Sequence, residues 1–555
     1  MMPLRGALSP LGRGLGAAEL AYLLYDAFTT DRAAGAVNGT SAEPTGGTRA
    51  VVDGNGKLSI TGGQLSFATG GVGVGNPAIR YSEASRISGK ILLSSIIAPS
   101  TDGLFEVGYD NNTSGQVWDS FRFSSSGNLI ITPDGFNTLV PIVGTYTSGT
   151  YSVAGILRSS GIYWFIKGGT YTNWTLLYIS STNSGTTYPS IEAGNTASVF
   201  TADNIRIPTS TWLPTPLAYD TFTRADGTIG SSETTGPDAQ TTPSLAWTGG
   251  AISSNKVVIT PTLGSELWDA PASTFDSGTY AWTALGTNTI ANVSNALQIT
   301  YVNNALGAVH YFRDADDLSS NIVVGQYYSF SGDFSINSGS VNANVYSGNG
   351  ASTEGNSPAI TSSSPVTITL PFRAGSTVNA DIYLQNLSAG EVVTLDNLSL
   401  KPLTLSSLFS TVSTNDSDVI ADANVTLTAG TQAGLVLNLD STASPANFLI
   451  GYLDGTNFKL DKCVGGTYTN LITVATSGTS NKLIRVITYH SGTNLMVRCY
   501  VDNVMKGGEI TVADAGITSN TKHGCFSTYA INSFDNMCIF ARGTDGEYEA
   551  DLNAF

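Results

Sequence analysis

The segment Tyr25-Asp26-Ala27-Phe28-Thr29-Thr30-Asp31-Arg32 returns far downstream as Tyr219-Asp220-Thr221-Phe222-Thr223-Arg224-Ala225-Asp226. After each copy comes a loop of Gly, Ser, Thr and Pro, and then a short segment with Trp or Leu at its expected inward positions, residues 51–67 and 245–259. An internal repeat on this scale constrains the fold more than any single motif: one domain type is used twice, and the repeat marks where each copy starts. The copies also close alike. Ser198-Val199-Phe200-Thr201-Ala202-Asp203-Asn204-Ile205-Arg206-Ile207 resembles Asn532-Ser533-Phe534-Asp535-Asn536-Met537-Cys538-Ile539-Phe540. Measured between these marks the second copy is far too long, so a further segment has been inserted into it.

The inserted and repeated segments draw on the same residues. With 61 Gly in 555 residues, 12% charged residues and abundant Ser, Thr and Asn, the chain is poor in helix formers and rich in strand and turn formers. An all-β, multi-domain protein is expected. Alternation supports this: residues 151–158 and 162–167 flank a turn at Ser159-Ser160-Gly161, and residues 482–490 and 495–502 flank a turn at 491–494, as paired strands of a two-sheet sandwich would. Gly-Gly-Thr-Tyr-Thr-Asn occurs at both 168–173 and 465–470, after the hairpin in one copy and before it in the other. That match is expected to be a recurrent turn and not an equivalent position.

Charge and cysteine usage narrow the function classes. A net charge of −17 without clustered Lys and Arg argues against nucleic acid as a partner. Cys463, Cys499, Cys525 and Cys538 show no CxxC spacing and no neighbouring His pair; they read as buried small apolar residues, with a Cys499–Cys525 bridge as the alternative. No run of about 18 apolar residues is present, so no membrane insertion is expected. Residues 1–21 are broken by Pro3, Pro10, Gly12, Gly14 and Gly16, which makes a poor signal peptide and leaves a docking segment or a floppy leader. Catalytic signatures are also missing. His310, His490 and His523 are scattered, there is no Gly-x-Ser-x-Gly elbow, and Gly70-Gly71-Val72-Gly73-Val74-Gly75 lacks the Lys-Ser/Thr of a phosphate loop.

Residues 219–230, together with Asp422 to Leu427, Ala433-Gly434-Leu435-Val436-Leu437, Asn457-Phe458-Lys459-Leu460 and Gly465-Gly466-Thr467-Tyr468, resemble the concanavalin A-like lectin/glucanase (laminin-G-like) sandwich. Domains of that sort are frequent in phage tail and other virion-surface proteins. Hydrolases among them carry a strand-borne Glu-x-Asp-x-x-Glu or Glu-x-Asp-x-Glu. The nearest string here, Glu547-Tyr548-Glu549-Ala550-Asp551, lies past the last expected strand and reads as an acidic solvated tail, 546–555.

The insertion is similar to the carbohydrate-binding-module-like (galactose-binding-like) jelly rolls. Its last strand, Leu395-Asp396-Asn397-Leu398-Ser399-Leu400, carries that likeness most clearly. The expected architecture is therefore all-β: two concanavalin A-like β-sandwiches, the second interrupted by a β jelly-roll domain. The first spans 22–216, the second 217–268 and 403–545, and the insert 269–402; removing the insert leaves the second copy equal in length to the first. Sugars are held by aromatic faces and planar polar side chains, which singles out Trp282, Tyr311, Arg313, Tyr346 and Tyr383, with Asn344 and Gln385 nearby in sequence. The jelly-roll resemblance also implies one structural Ca²⁺, for which Asp396 and Asp269 are the candidates. Together these likenesses imply a non-catalytic, homo-oligomeric protein of a virion surface, a phage tail adhesin or capsid decoration that binds cell-surface polysaccharide and joins other virion proteins through its first residues. The competing expectations are a purely structural virion or filament protein and a secreted glycan-active enzyme.

Overall fold

The structure, a computed structural model, describes residues 21–555 apart from 53–55, 69–76, 83–86, 111–118, 134–139, 182–186, 195–197, 269–272, 281, 285–286, 303–308, 314–317, 348–354 and 376–379. As expected, it is almost wholly antiparallel β-structure. None of its helices is long and apolar enough to cross a membrane. The chain divides into two compact units, Met1–Leu213 with Asp545–Phe555, and Pro214–Thr544.

In the first unit one sheet runs Tyr171–Ser181, Gly161–Gly168, Gly149–Arg158, Ile91–Ala98, Phe200–Pro208 and Tyr22–Asp26. Its partner runs Val140–Thr145, Asn128–Thr132, Asp119–Ser124, Phe105–Asp110, Tyr188–Ala193 and Ala78–Tyr81. The second unit repeats that order. One sheet is Asn494–Val501, Lys482–Ser491, Val419–Thr426 and Ser533–Ala541, with Ala218–Asp220 alongside the last. The other is Thr467–Ala475, Asn457–Val464, Phe448–Leu453, Ala433–Leu439, Lys522–Ser527 and Phe409–Ser413. The Gly-Gly-Thr-Tyr turn joins strands of the first of these sheets in one copy, Gly161–Gly168 to Tyr171–Ser181, and of the second sheet in the other, Asn457–Val464 to Thr467–Ala475; these are not equivalent places.

The repeated opening folds the same way for a local electrostatic reason. Asp26 Oδ1 accepts the Phe28 N–H at 3.2 Å, and Asp220 Oδ1 accepts the Phe222 N–H at 2.7 Å. This short turn holds both phenylalanines at positive φ, 49° and 55°, and drives both rings into their cores. Each buried aspartate then needs a counter-group. Arg49 supplies it in the first sandwich with two bonds, Nε to Oδ2 at 2.7 Å and Nη2 to Oδ1 at 2.6 Å, and Tyr81 Oη adds a third at 2.9 Å. In the second, Trp247 Nε1 donates to Asp220 Oδ2 at 2.9 Å and Arg224 pairs with Oδ1.

A second device recurs three times. In the closing strand of each domain an Asp-Asn pair makes a bulge: Asn204, Asn397 and Asn536 all sit at φ 51°, and each N–H donates to the preceding carboxylate at 2.7–2.8 Å. The strand register shifts there against Ile91–Ala98, Tyr327–Ile336 and Val419–Thr426.

The inserted jelly roll has two five-stranded sheets. One is Thr283–Ala284, Val309–Arg313, Ala380–Gln385, Asn342–Ser347 and Gly355–Asn356; the other is Thr289–Val293, Ala296–Thr300, Val392–Pro402, Tyr327–Ile336 and Val366–Arg373. Its entry and exit lie side by side, the Gly264 N–H donating to the Pro402 carbonyl at 2.8 Å, which is why the host sandwich tolerates it.

The acidic tail corrects the expectation of a solvated segment. Tyr548 and Leu552 are 4% and 1% exposed, and the Tyr548 ring meets Phe165 and Trp212 edge-on at 5.0 and 6.1 Å. Glu549 pairs with Lys167 at 2.5 Å and accepts the Trp174 N–H at 2.6 Å, while Asn553 accepts Trp174 Nε1–H at 3.0 Å. Apolar residues spaced four apart on the Glu549–Leu552 turn belong to the core of the first unit, and its acids satisfy the rim.

All four cysteines are free thiols. Three are buried, Cys538 is half-buried, and burial pushes the Cys463 thiol up to about 11.

Candidate functional site

Where the jelly roll meets its host sandwich, the outward face of one host sheet is apolar. Val436, Phe448, Ile450 and Phe526 are completely buried and Tyr452 nearly so, and Tyr327 of the jelly roll and Leu403, just past its last strand, complete the cluster. Tyr327 meets Phe526 and Tyr468 at 5.8 Å each. Beside this seal lies a charged knot. Arg373 Nη1 donates to Asp461 Oδ2 at 2.7 Å, its guanidinium stacks over Tyr468 at 4.2 Å, and Tyr452 Oη and Asn470 Nδ2 donate to the same carboxylate at 2.9 and 2.7 Å. Burial works against the Arg373 charge, but Tyr327 and then Asp461 more than offset it, and the guanidinium is held above its ordinary value. Burial, then Asp461, pushes the Tyr452 hydroxyl well up, so it stays protonated, and a donor, through the neutral range.

Above the knot opens a cleft of about 470 Å³. One wall is jelly roll, with Asn344, Asn356 and Gln385; the other is host sandwich, with Ala429, Gly430 and the turn 454–457; Tyr327, Arg373 and Tyr452 reach it from below. The walls approach closely at Gly430, which sits at φ 84° and where an added Cβ would lie 2.5 Å from the Asn356 carbonyl oxygen. Gln432 ties them together, its Nε2 donating to the Pro371 carbonyl at 3.1 Å while Thr528 fixes its Oε1 at 2.7 Å. Asn344 is 1% exposed, and its Oδ1 has no hydrogen-bond partner. A buried acceptor left unpaired costs about 1–3 kcal/mol, so one that lines a cleft is a place where a ligand donor would be rewarded.

The five sugar-site candidates divide. Trp282 is a core residue, 2% exposed, with its ring 5.7 Å from Trp268 and 6.2 Å from Phe275; it has no free face for a sugar, and the expectation that it stacks on one is corrected. Tyr311, Arg313, Tyr346 and Tyr383 lie on strands whose register the structure gives, while their side chains fall outside the described residues. Tyr311 pairs with Tyr383, and Tyr383 with Asn344. By alternation, positions 311, 313, 346 and 383 share a sheet face with Asn344 and Gln385, opposite Ala343, Val345 and Leu384 of the core. Of the residues singled out from the sequence or noted beside them, Asn344 and Gln385 line the cleft. Sequence reasoning missed the second wall, because nothing local marks Ala429, Gly430 and Asn457 as neighbours of the insert.

For calcium, Asp269 lies outside the described residues. Asp396 caps its own bulge through the Asn397 N–H, as Asp203 and Asp535 do in the sandwiches, and burial raises its pKa. Among the described residues no group of three or more His, Cys, Asp or Glu could hold a metal ion.

No protein-family profile matches the chain, and no curated protein matches it. Solved structures overlay only loosely. The tandem CBM22-1–CBM22-2 domain of Paenibacillus barcinonensis Xyn10C is 10% identical, with 51% of this chain and 98% of that one covered at a TM-score of 0.20. For the carbohydrate-binding module CBM66 from Bacillus subtilis the values are 12%, 47%, 92% and 0.14. The GH43 protein BlXynB from Bacillus licheniformis gives 12%, 71%, 96% and 0.18. Superpositions this loose carry neither fold nor function across to this chain.

Proposed function

We propose that this protein binds glycans without turning them over, as an adhesin or decoration on a virion surface. The observation that carries the binding part is the cleft above the Arg373–Asp461 knot, where a buried, unpartnered Asn344 Oδ1 stands among amides, hydroxyls and tyrosines. That is the chemistry hydroxyl-rich ligands demand: planar polar groups for orientation and aromatic surface for contact. The virion setting is supported by the resemblance of the repeated sandwiches to lectin-like domains of such particles. A panel of immobilised polysaccharides probed with the full chain tests the binding, with released reducing ends assayed alongside. Retention without release is expected. An inert protein would return the scaffold reading to first place, and immunolabelling that leaves virus particles bare would remove the virion setting.

The enzyme reading draws on one feature of the first sandwich. Glu106 and Glu192 sit directly opposite each other on neighbouring strands, and burial raises the Glu106 pKa. Both are fully buried, and Glu106 is engaged by Arg122 at 2.7 Å and Ser120 at 2.6 Å. Reducing ends that appear with the wild type and vanish in Glu106→Gln would favour that reading.

A further inference from the structure

We infer that the cleft is a composite site for an uncharged saccharide, one that neither the jelly roll nor the host sandwich provides alone. The inference rests on the glycan-binding reading and narrows it. Every charged side chain lining the cleft is already matched: Arg373 by Asp461 at 2.7 Å, and Lys459 by Asp454 at 3.0 Å. A sulfate or uronate would have to displace Asp461 from a guanidinium that also stacks on Tyr468, and would do so within a chain of net charge −17. A cationic ligand would meet carboxylates that are equally committed.

What remains uncommitted is neutral. Asn344 offers a buried acceptor, and the side chains of Asn356 and Gln385 make no hydrogen bond among the described residues. Other polar groups of the lining are spent on the fold. Ser357 Oγ accepts the Ala343 N–H and donates to the Pro358 carbonyl, both at 2.8 Å, and Asn457 Nδ2 donates to Thr456 Oγ1 at 2.9 Å. Amide donors and acceptors lining one wall of the cleft suit the alternating hydroxyls of a neutral sugar. The host wall supplies shape: Ala429 and Gly430 leave the space that a larger side chain would take.

The full chain is presented with neutral polysaccharides (glucan, mannan, galactan, xylan) and with uronate-bearing and sulfated ones, at low salt and at roughly 1 M salt, where the Debye length falls to about 3 Å. Retention of one or more neutral polymers, unchanged by salt, is expected. Two variants divide the walls. Asn344→Ala on the jelly roll and Ala429→Trp on the host should each weaken retention about tenfold or more with an unchanged melting temperature. Preference for acidic polymers, or steep loss with salt, overturns the uncharged class while leaving glycan binding standing. Full retention by Ala429→Trp overturns the composite site and returns binding to the jelly roll. Failure to retain any polymer of either class sinks the glycan reading itself.

Discussion

In the first sandwich the outward positions of Phe105–Asp110, Asp119–Ser124 and Tyr188–Ala193 carry Glu106, Ser120, Arg122 and Glu192, and Arg122 reaches Glu106 at 2.7 Å. The equivalent strands of the second sandwich, Ala433–Leu439, Phe448–Leu453 and Lys522–Ser527, carry Val436, Phe448, Ile450, Tyr452 and Phe526 there. Inward positions hardly differ in kind. Phe105, Val107, Phe121 and Ile191 fill one core as Leu435, Leu437, Leu449 and Cys525 fill the other. Strand order is thus maintained by the inward alternation and the two end motifs, and the outward face is left to record what covers it. In the second copy the cover includes Tyr327 of the insert beside Leu403 of the exit segment, so the insert is a structural partner of its host as well as a passenger.

The harshest way to break this comparison is to excise the insert between Gly264 and Pro402, whose backbones already bond. The exposed face should bind a hydrophobic dye and drive the protein into aggregates. Polar replacements at Phe448, Ile450 and Phe526 should rescue the excised form. A soluble, dye-silent excision product would show that the host face does not depend on its cover.

Next in size is the contrast between the buried aspartates. Arg49→Met removes a fully buried cation from a fully buried Asp26, which Tyr81 still bonds but does not neutralise, and should destabilise the first sandwich by about 3–5 kcal/mol. Arg224→Met should cost about 1 kcal/mol or less, because Arg224 is partly exposed and Trp247 still holds Asp220. Denaturant unfolding of the two variants should rank them so; equal effects would mean the two openings are equivalent energetically as well as geometrically.

A smaller difference appears on acidification. Histidines occur only in the second unit, and burial pulls His523 down to about 4, its Nε2 facing the Asp416 carbonyl at 2.9 Å and its Nδ1 accepting the Asn438 N–H at 3.3 Å. Because the unfolded chain takes up the proton first, stability is complete above about 6.5 and falls as pH drops toward 4, by about 3 kcal/mol in all. His523→Gln should flatten that slope in melts between pH 7 and 4; an unchanged slope would assign the acid sensitivity elsewhere.

Smallest are the three bulges. Asn204→Ala, Asn397→Ala and Asn536→Ala should each cost about 1 kcal/mol, and Asn→Gly should recover the part due to the positive φ, leaving at Asn204 and Asn397 the small loss of the exposed or half-buried bonds to Tyr25 Oη and Asp333. A large loss at Asn397 that Asn397→Gly does not relieve would separate the jelly-roll bulge from the other two through its bond to Asp333.

The repeat made the sandwiches legible because their ends are local chemistry: an aspartate two residues before a phenylalanine, and an Asp-Asn pair in the closing strand. In the jelly roll, parity along the strands was legible for the same reason: Asn344 alternates with Ala343 and Val345 of the core and lines the cleft. Trp282 misled because a tryptophan carries no sign of whether its face is free. The second wall of the cleft was illegible because Arg373 and Asp461, or Gly430 and Asn356, meet only after two domains have packed. The docking of Tyr548 and Leu552 was hidden by the acids around them, which dominate composition while two apolar side chains decide the contact.

The turn at Glu549–Leu552 completes the first sandwich only after Pro214–Thr544 has been made. Its strands Tyr22–Asp26 through Phe200–Pro208 leave the ribosome first, yet Trp174 and Trp212 wait for Tyr548 and Asn553 until the whole of Pro214–Thr544 has been made. At about 5–20 residues per second that delay is on the order of tens of seconds. Until then Trp174 and Trp212 lack that cover, and the jelly roll, whose sequence lies wholly within Pro214–Thr544, is complete before either sandwich is.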